Sequence, residues 1–118
     1  MTDTPALIYK IIPENLWQQA QALGRFGGAP VDVADGFIHF SSAAQMRETA
    51  ARHFAGQDNL LLLAVATAEL GPGLKWEVSR GGALFPHLYG DMPIVAVVAV
   101  HPLPCLADGS HDFTGLPA

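Results

Sequence analysis

The sequence is short of three things. Cys105 is its only cysteine, so no intramolecular disulfide and no cysteine-rich zinc site can form, and a reducing, cytoplasmic setting is the simplest expectation. Positive charge is also scarce: two lysines and four arginines leave a formal net charge of -5. Neutralising a phosphate backbone needs a basic patch, so no nucleic-acid partner is expected. Long apolar runs are missing too. Stretches such as Leu60–Ala66 fall far below the roughly 20 residues that span a bilayer. No basic and apolar segment of signal-peptide length opens the chain, where Asp3 and Thr4 stand. A soluble protein with no membrane partner is therefore expected.

What is present is apolar. Half of the 118 residues are hydrophobic and 14% are charged, which excludes a disordered chain and fits one compact domain with much of its sheet buried. Leu7–Ile12 has the β-branched and aromatic content of a strand, with Lys10 interrupting an otherwise apolar face. Pro13 and Glu14 suit a first helical turn, Leu16, Ala20 and Leu23 recur at helical spacing with Trp17 beside them, and Gly24 closes the segment. Residues 25–35, with Gly27, Gly28 and Pro30, read as a long loop.

Asp35-Gly36 is turn chemistry, Phe37–Phe40 reads as a strand, and Ser42 with Gln45 has capping-box spacing before a helix expected over residues 43–54. Leu60–Ala66 is apolar on both faces, as a central strand must be. Leu74–Ser79 alternates, with Lys75, Glu77 and Ser79 on its polar face. Residues 81–91 read as a second irregular segment, Ile94–Val100 as a second doubly apolar strand, and residues 101–118 as an extended tail after an ordered core of about 7–100. The order predicts an α+β domain with two helices and a mixed or antiparallel sheet.

Three groups of residues could carry chemistry. His39 with Ser41 and Ser42 sits at a strand end facing a helix start, a junction suited to polar ligands. The bland alternative is that Ser42 caps the helix and His39 is a satisfied buried side chain. Phe85-Pro86-His87-Leu88-Tyr89-Gly90 offers aromatic faces, an imidazole and a phenol to a flat ring, or simply plugs the core. Glu77 could act as general base or hold a ribose hydroxyl, against the plainer reading of a solvated charge. Lys10 could reach a bound phosphate or snorkel. His39, His53, His87, His101 and His111 show no H-x-x-x-H or H-x-H spacing, so no metal is expected.

Taken together, Ile8–Ile11, the Gly-Phe-Ile-His-Phe-Ser block at 36–41, His53-Phe54, Lys75-Trp76-Glu77 and the Phe-Pro-His-Leu-Tyr-Gly block at 85–90 resemble the bacterial family known as domain of unknown function 952. The resemblance covers roughly residues 7–100. It implies a split-sheet fold related to the ADP-ribosyltransferases, which cleave NAD in a cleft between two small sheets. The implied ligand is NAD, ADP-ribose or a related nucleotide, and the implied activity, if the protein is catalytic, is ADP-ribosyl transfer. Tyr9 and Lys10 would then lie where transferases hold the ribose or phosphate, and His39 or Ser41 would line the nicotinamide pocket. The expected catalytic set is His39, His87 and Glu77; Lys10, Tyr9, Ser41, Ser42, Phe85 and Tyr89 would hold the ligand. The chain carries neither a His-Tyr-Glu nor an Arg-Ser-Glu set, which keeps open a non-catalytic module binding a metabolite or a protein. A hydrolase using His39 or His87 as general base ranks third.

Overall fold

In a computed structural model that describes residues 5–116, the chain forms an α+β domain with antiparallel sheets and three α-helices. Strand β1 (Leu7–Pro13) is followed by α1 (Glu14–Leu23), β2 (Arg25–Phe26), α2 (Pro30–Asp35), β3 (Ile38–His39) and α3 (Met46–His53). The second half supplies β4 (Leu60–Ala66), β5 (Leu74–Val78), β6 (Leu84–Leu88), β7 (Met92–Pro93) and β8 (Val97–Leu103). Three sheets result, ordered β1-β4-β8, β3-β6-β5 and the small pair β2-β7. A two-way backbone pairing of Tyr9 with Ser41, at 2.8 Å each way, ties the two larger sheets together.

β4 lies at the centre of the first sheet for the reason its composition gives. Leu63 and Val65 enter one apolar cluster with Ile8, Ile12, Trp17, Phe26, Ile38 and Met92, while Leu60, Leu62 and Ala64 enter another with Tyr9, Met46 and Ala50. Burying each large aliphatic side chain contributes about 1.5–3 kcal/mol. Helix α1 starts after Pro13 with Glu14 in its first turn and ends at Gly24, whose φ of 82° lets its N–H reach the Ala20 carbonyl. Trp17 and Ala20 form its buried stripe, and Leu23 is left exposed.

Several expectations need correction. Two helices were expected and three form, because residues 25–35 hold β2 and α2 rather than a loop. Pro30 opens α2, and Asp32 reaches back to the Ala29 N–H at 2.7 Å. Helix α3 starts at Met46, since residues 42–45 form a turn in which the Gln45 side chain accepts from the Ser42 N–H at 3.0 Å and donates to the Leu84 carbonyl at 2.8 Å.

Residues 81–91, read as irregular, contain β6. Pro86 is tolerated there because its carbonyl accepts from the Phe40 N–H at 3.0 Å on the side where β3 has already ended, and its missing N–H falls on that same side. A short 3-10 turn over Ile94–Ala96 delays β8, which runs to Leu103. The chain beyond it folds back rather than trailing away. Cys105 bridges to His111, Phe113 packs on the second cluster, and the Arg47 guanidinium sits 4.9 Å over the Phe113 ring. Among the described residues no helix is long and apolar enough to cross a membrane.

Candidate functional site

The β3-β6-β5 sheet has one apolar and one polar face. Ile38, Trp76 and Leu88 pack inward. Directly opposed residues of an antiparallel ladder share a face. The register sets His39 against His87, Lys75 against His87, and Glu77 against Phe85, so all five belong to the other side. The two imidazole rings lie 5.5 Å apart, edge to face.

Each imidazole is held by a carboxylate. His39 Nδ1 lies 2.6 Å from Asp32 Oδ1, and His87 Nδ1 lies 2.8 Å from Glu77 Oε1. The ionised carboxylates only accept, so each Nδ1 carries its proton and each Nε2 is turned away from the anchor. The Tyr89 hydroxyl also donates to Glu77 Oε1 at 2.8 Å. These bonds, that from His87 first and that from Tyr89 second, hold the Glu77 carboxyl below its ordinary range. The same contact raises the Tyr89 phenol.

Asp32 is the hub of the first pair. It is 1% exposed and accepts from Lys10 Nζ at 3.1 and 3.2 Å, from the Ala29 and His39 N–H groups at 2.7 and 3.1 Å, and from His39 Nδ1. Burial pushes its carboxyl up, but the His39 hydrogen bond, the Lys10 charge and the two backbone donors outweigh it and hold the group at about 2. For Lys10 burial wins, and its ammonium falls below 10.5 despite Asp32. Gly28 makes room for this hub: a Cβ there would come within 2.9 Å of the Asp32 Cβ, and its φ is +116°. Lys10 also donates to the His39 carbonyl at 2.8 Å.

Phe37 joins the two pairs. Its ring stacks on His87 at 4.1 Å and lies 4.7 Å from the ring of His39 and 5.3 Å from that of Tyr89. Asp35 Oδ2 sits 2.9 Å from His39 Nε2. Two open cavities lie elsewhere: one of about 490 Å³ between α3 and the C-terminal segment, lined by Arg47, His111 and Phe113 among others, and one of about 320 Å³ beside Thr67, Leu74 and Trp76. Among the described residues no group of three or more His, Cys, Asp or Glu could hold a metal ion.

All of the residues that carry this geometry except Lys10 sit inside a region matched by a family model. Residues 11–100 match the family described as Protein of unknown function (DUF952). The chain belongs to this family. The crystal structure of CC0527 from Caulobacter crescentus is similar to the DUF952 chain at 52% identity and a TM-score of 0.88, over 92% of this chain and 95% of that one. The solution NMR structure of CC0527 is similar at 51% identity and a TM-score of 0.81, over 92% and 94%. No curated protein matches.

Within this DUF952 fold, His39, His87, Glu77 and Tyr89 come together on one face. Lys10 joins them only through Asp32 and the His39 carbonyl; at 7% exposure its ammonium is committed inward. Tyr9 lies on the opposite face of β1, packed with Met46 and Ala50, and Ser41 Oγ is 2.8 Å from Thr49 Oγ1 of α3, so both turn toward α3. Ser42 opens the turn before α3, and Phe85 is buried beside Glu77. Sequence reasoning missed Asp32 altogether and read Asp35 and Phe37 only as turn and strand. The signal for Asp32 was there: Pro30 at a helix start, an acid at the third position, and Gly36 to end it.

Proposed function

We propose that the DUF952 chain binds a nucleotide of the NAD or ADP-ribose class on the face built by His39, Lys75, Glu77, His87 and Tyr89. The observation that carries this reading is the opposition of two imidazoles across one ladder, each anchored at Nδ1 by a carboxylate. That arrangement presents stacking surfaces and oriented polar edges within one short span, as recognition of a heteroaromatic ring requires. Lys75 is exposed on the same face opposite His87 and is the cation suited to a phosphate, a role that Lys10 has given up to Asp32. The two antiparallel sheets joined at Tyr9 and Ser41 support a distant ADP-ribosyltransferase-like relationship.

In a transfer reaction the Glu77 carboxylate would stabilise positive charge on the ribose as the C1′–N bond breaks and nicotinamide leaves with the bonding pair, while an acceptor nucleophile bonds to C1′ and loses its proton to solvent. A non-catalytic binding module is the second reading, favoured by the turning of Tyr9, Ser41 and Lys10 away from the polar face. Calorimetric titration with NAD and ADP-ribose tests the binding: a saturable heat weakened by His87→Ala is expected, and no heat at millimolar ligand would sink the reading. Nicotinamide release above background then separates the enzyme from the module.

A further inference from the structure

The face that the proposed ligand would occupy is already engaged by two side chains of the chain itself, on either side of Gly36. Asp35 sets a carboxylate oxygen 2.9 Å from the outward nitrogen of His39. Phe37 lays its ring on His87 at 4.1 Å with 27° between the planes, and the same ring touches the rims of His39 and Tyr89. Neither contact lies in the apolar core. The Asp35 side chain is 48% exposed, and Phe37 is half-buried and belongs to neither apolar cluster. The backbone ties the turn to α2: the N–H groups of Gly36 and Phe37 both reach the Asp32 carbonyl, at 2.9 and 3.2 Å. Gly36 supplies the φ of 87° this requires.

We propose that the 35–37 turn is a built-in occupant of the ligand site and that it copies the ligand. The class it copies is a planar aromatic ring carrying a carboxylate or carboxamide oxygen. The ring stacks on His87, and its oxygen takes the place of the Asp35 carboxylate opposite His39 Nε2. Asp32 and Lys10 stay behind His39, because their bonds are buried and independent of the turn. Glu77 keeps His87 and Tyr89 in place across the sheet. The location of the site rests on the nucleotide reading; the ligand class comes from the two side chains that fill it.

A protein whose site is closed by its own chain binds with an affinity lowered by the fraction of time it is open, so removing the occupant must raise affinity. The probes are benzoate and nicotinamide, with cyclohexanecarboxylate as the non-planar control, titrated by calorimetry into the full chain. Phe37→Ala is expected to bind benzoate about tenfold or more tightly than wild type, to discriminate against the control, and to lose the gain when His87→Ala is added. Asp35→Ala is expected to give a smaller gain for benzoate, since His39 Nε2 is then released. A folded Phe37→Ala chain, checked by its unfolding curve, that binds benzoate no better than wild type would overturn the proposal. So would equal binding of the cyclohexane control. Should NAD fail on both chains while the benzoate gain persists, the nucleotide reading falls and the occupant stands. Should NAD bind wild type and be lost from Phe37→Ala, Phe37 is an ordinary contact and the occupant falls.

Discussion

Asp32 with His39 and Glu77 with His87 are the same chemical pair in two settings. Asp32 sits on α2 at 1% exposure and takes five hydrogen bonds, three of them from charged or imidazole donors. Glu77 stands on an open strand with its side chain 38% exposed and takes two, from His87 and Tyr89. Burial strengthens each contact of the first pair and makes its loss costly; exposure leaves the second free to respond to a ligand. The burial of the imidazoles runs the other way: the His39 side chain is 34% exposed and that of His87 6%. Each pair therefore has one fixed and one accessible member, and the fixed carboxylate presents an accessible ring while the fixed ring is steered by an accessible carboxylate.

The largest test of that difference is Asp32→Ala. It strands the Lys10 ammonium in the interior, and breaking a buried ion pair from one side costs about 3–5 kcal/mol. Urea unfolding should show this loss. A change near zero would mean that Lys10 swings out to water and that the hub does not hold α2 to β1.

Acid provides the next test. The Asp32 carboxyl is lowered from 3.8 to about 2, so its contribution is complete above the unfolded value and disappears as pH falls through about 2. A shift of that size corresponds to about 2 kcal/mol. Stability measured by denaturant should fall in wild type between about pH 5 and about pH 2. The part due to Asp32 should be missing from Asp32→Asn, and equal acid limbs in the two chains would remove the buried-anion account.

The comparison also explains what could be read from sequence. Leu60–Ala66 announced itself because a strand covered on both faces must be apolar on both, and the structure seats it between β1 and β8. His39, His87, Glu77 and Tyr89 were legible because imidazoles, a carboxylate and a phenol stand out in a chain poor in charge. Asp32 was not, because its importance comes from a six-residue helix too short to show a period and from a lysine 22 positions away. β6 was hidden by Pro86, whose acceptance depends on where β3 happens to stop. Pro30 and Gly36 mark where α2 starts and stops, but neither the Lys10 partner of Asp32 nor the point where β3 ends has a local sequence signature.

The smallest effect on stability and the sharpest on function should come from Glu77→Gln. The substitution keeps the side chain's shape and its place opposite Phe85, and removes the charge that accepts from His87 and Tyr89. Because the group is open to solvent, the unfolding midpoint should stay where it is in wild type. His87 loses its charged anchor, however, and a neutral amide is the weaker partner by roughly half. A ligand stacked on His87 should then bind roughly tenfold more weakly, and the loss should vanish when His87 is already alanine, as a double-mutant cycle would read. Equal losses in both backgrounds would mean that Glu77 meets the ligand directly. Loss of stability without loss of binding would reverse the assignment of the two pairs, making Glu77 the structural carboxylate and Asp32 the adjustable one.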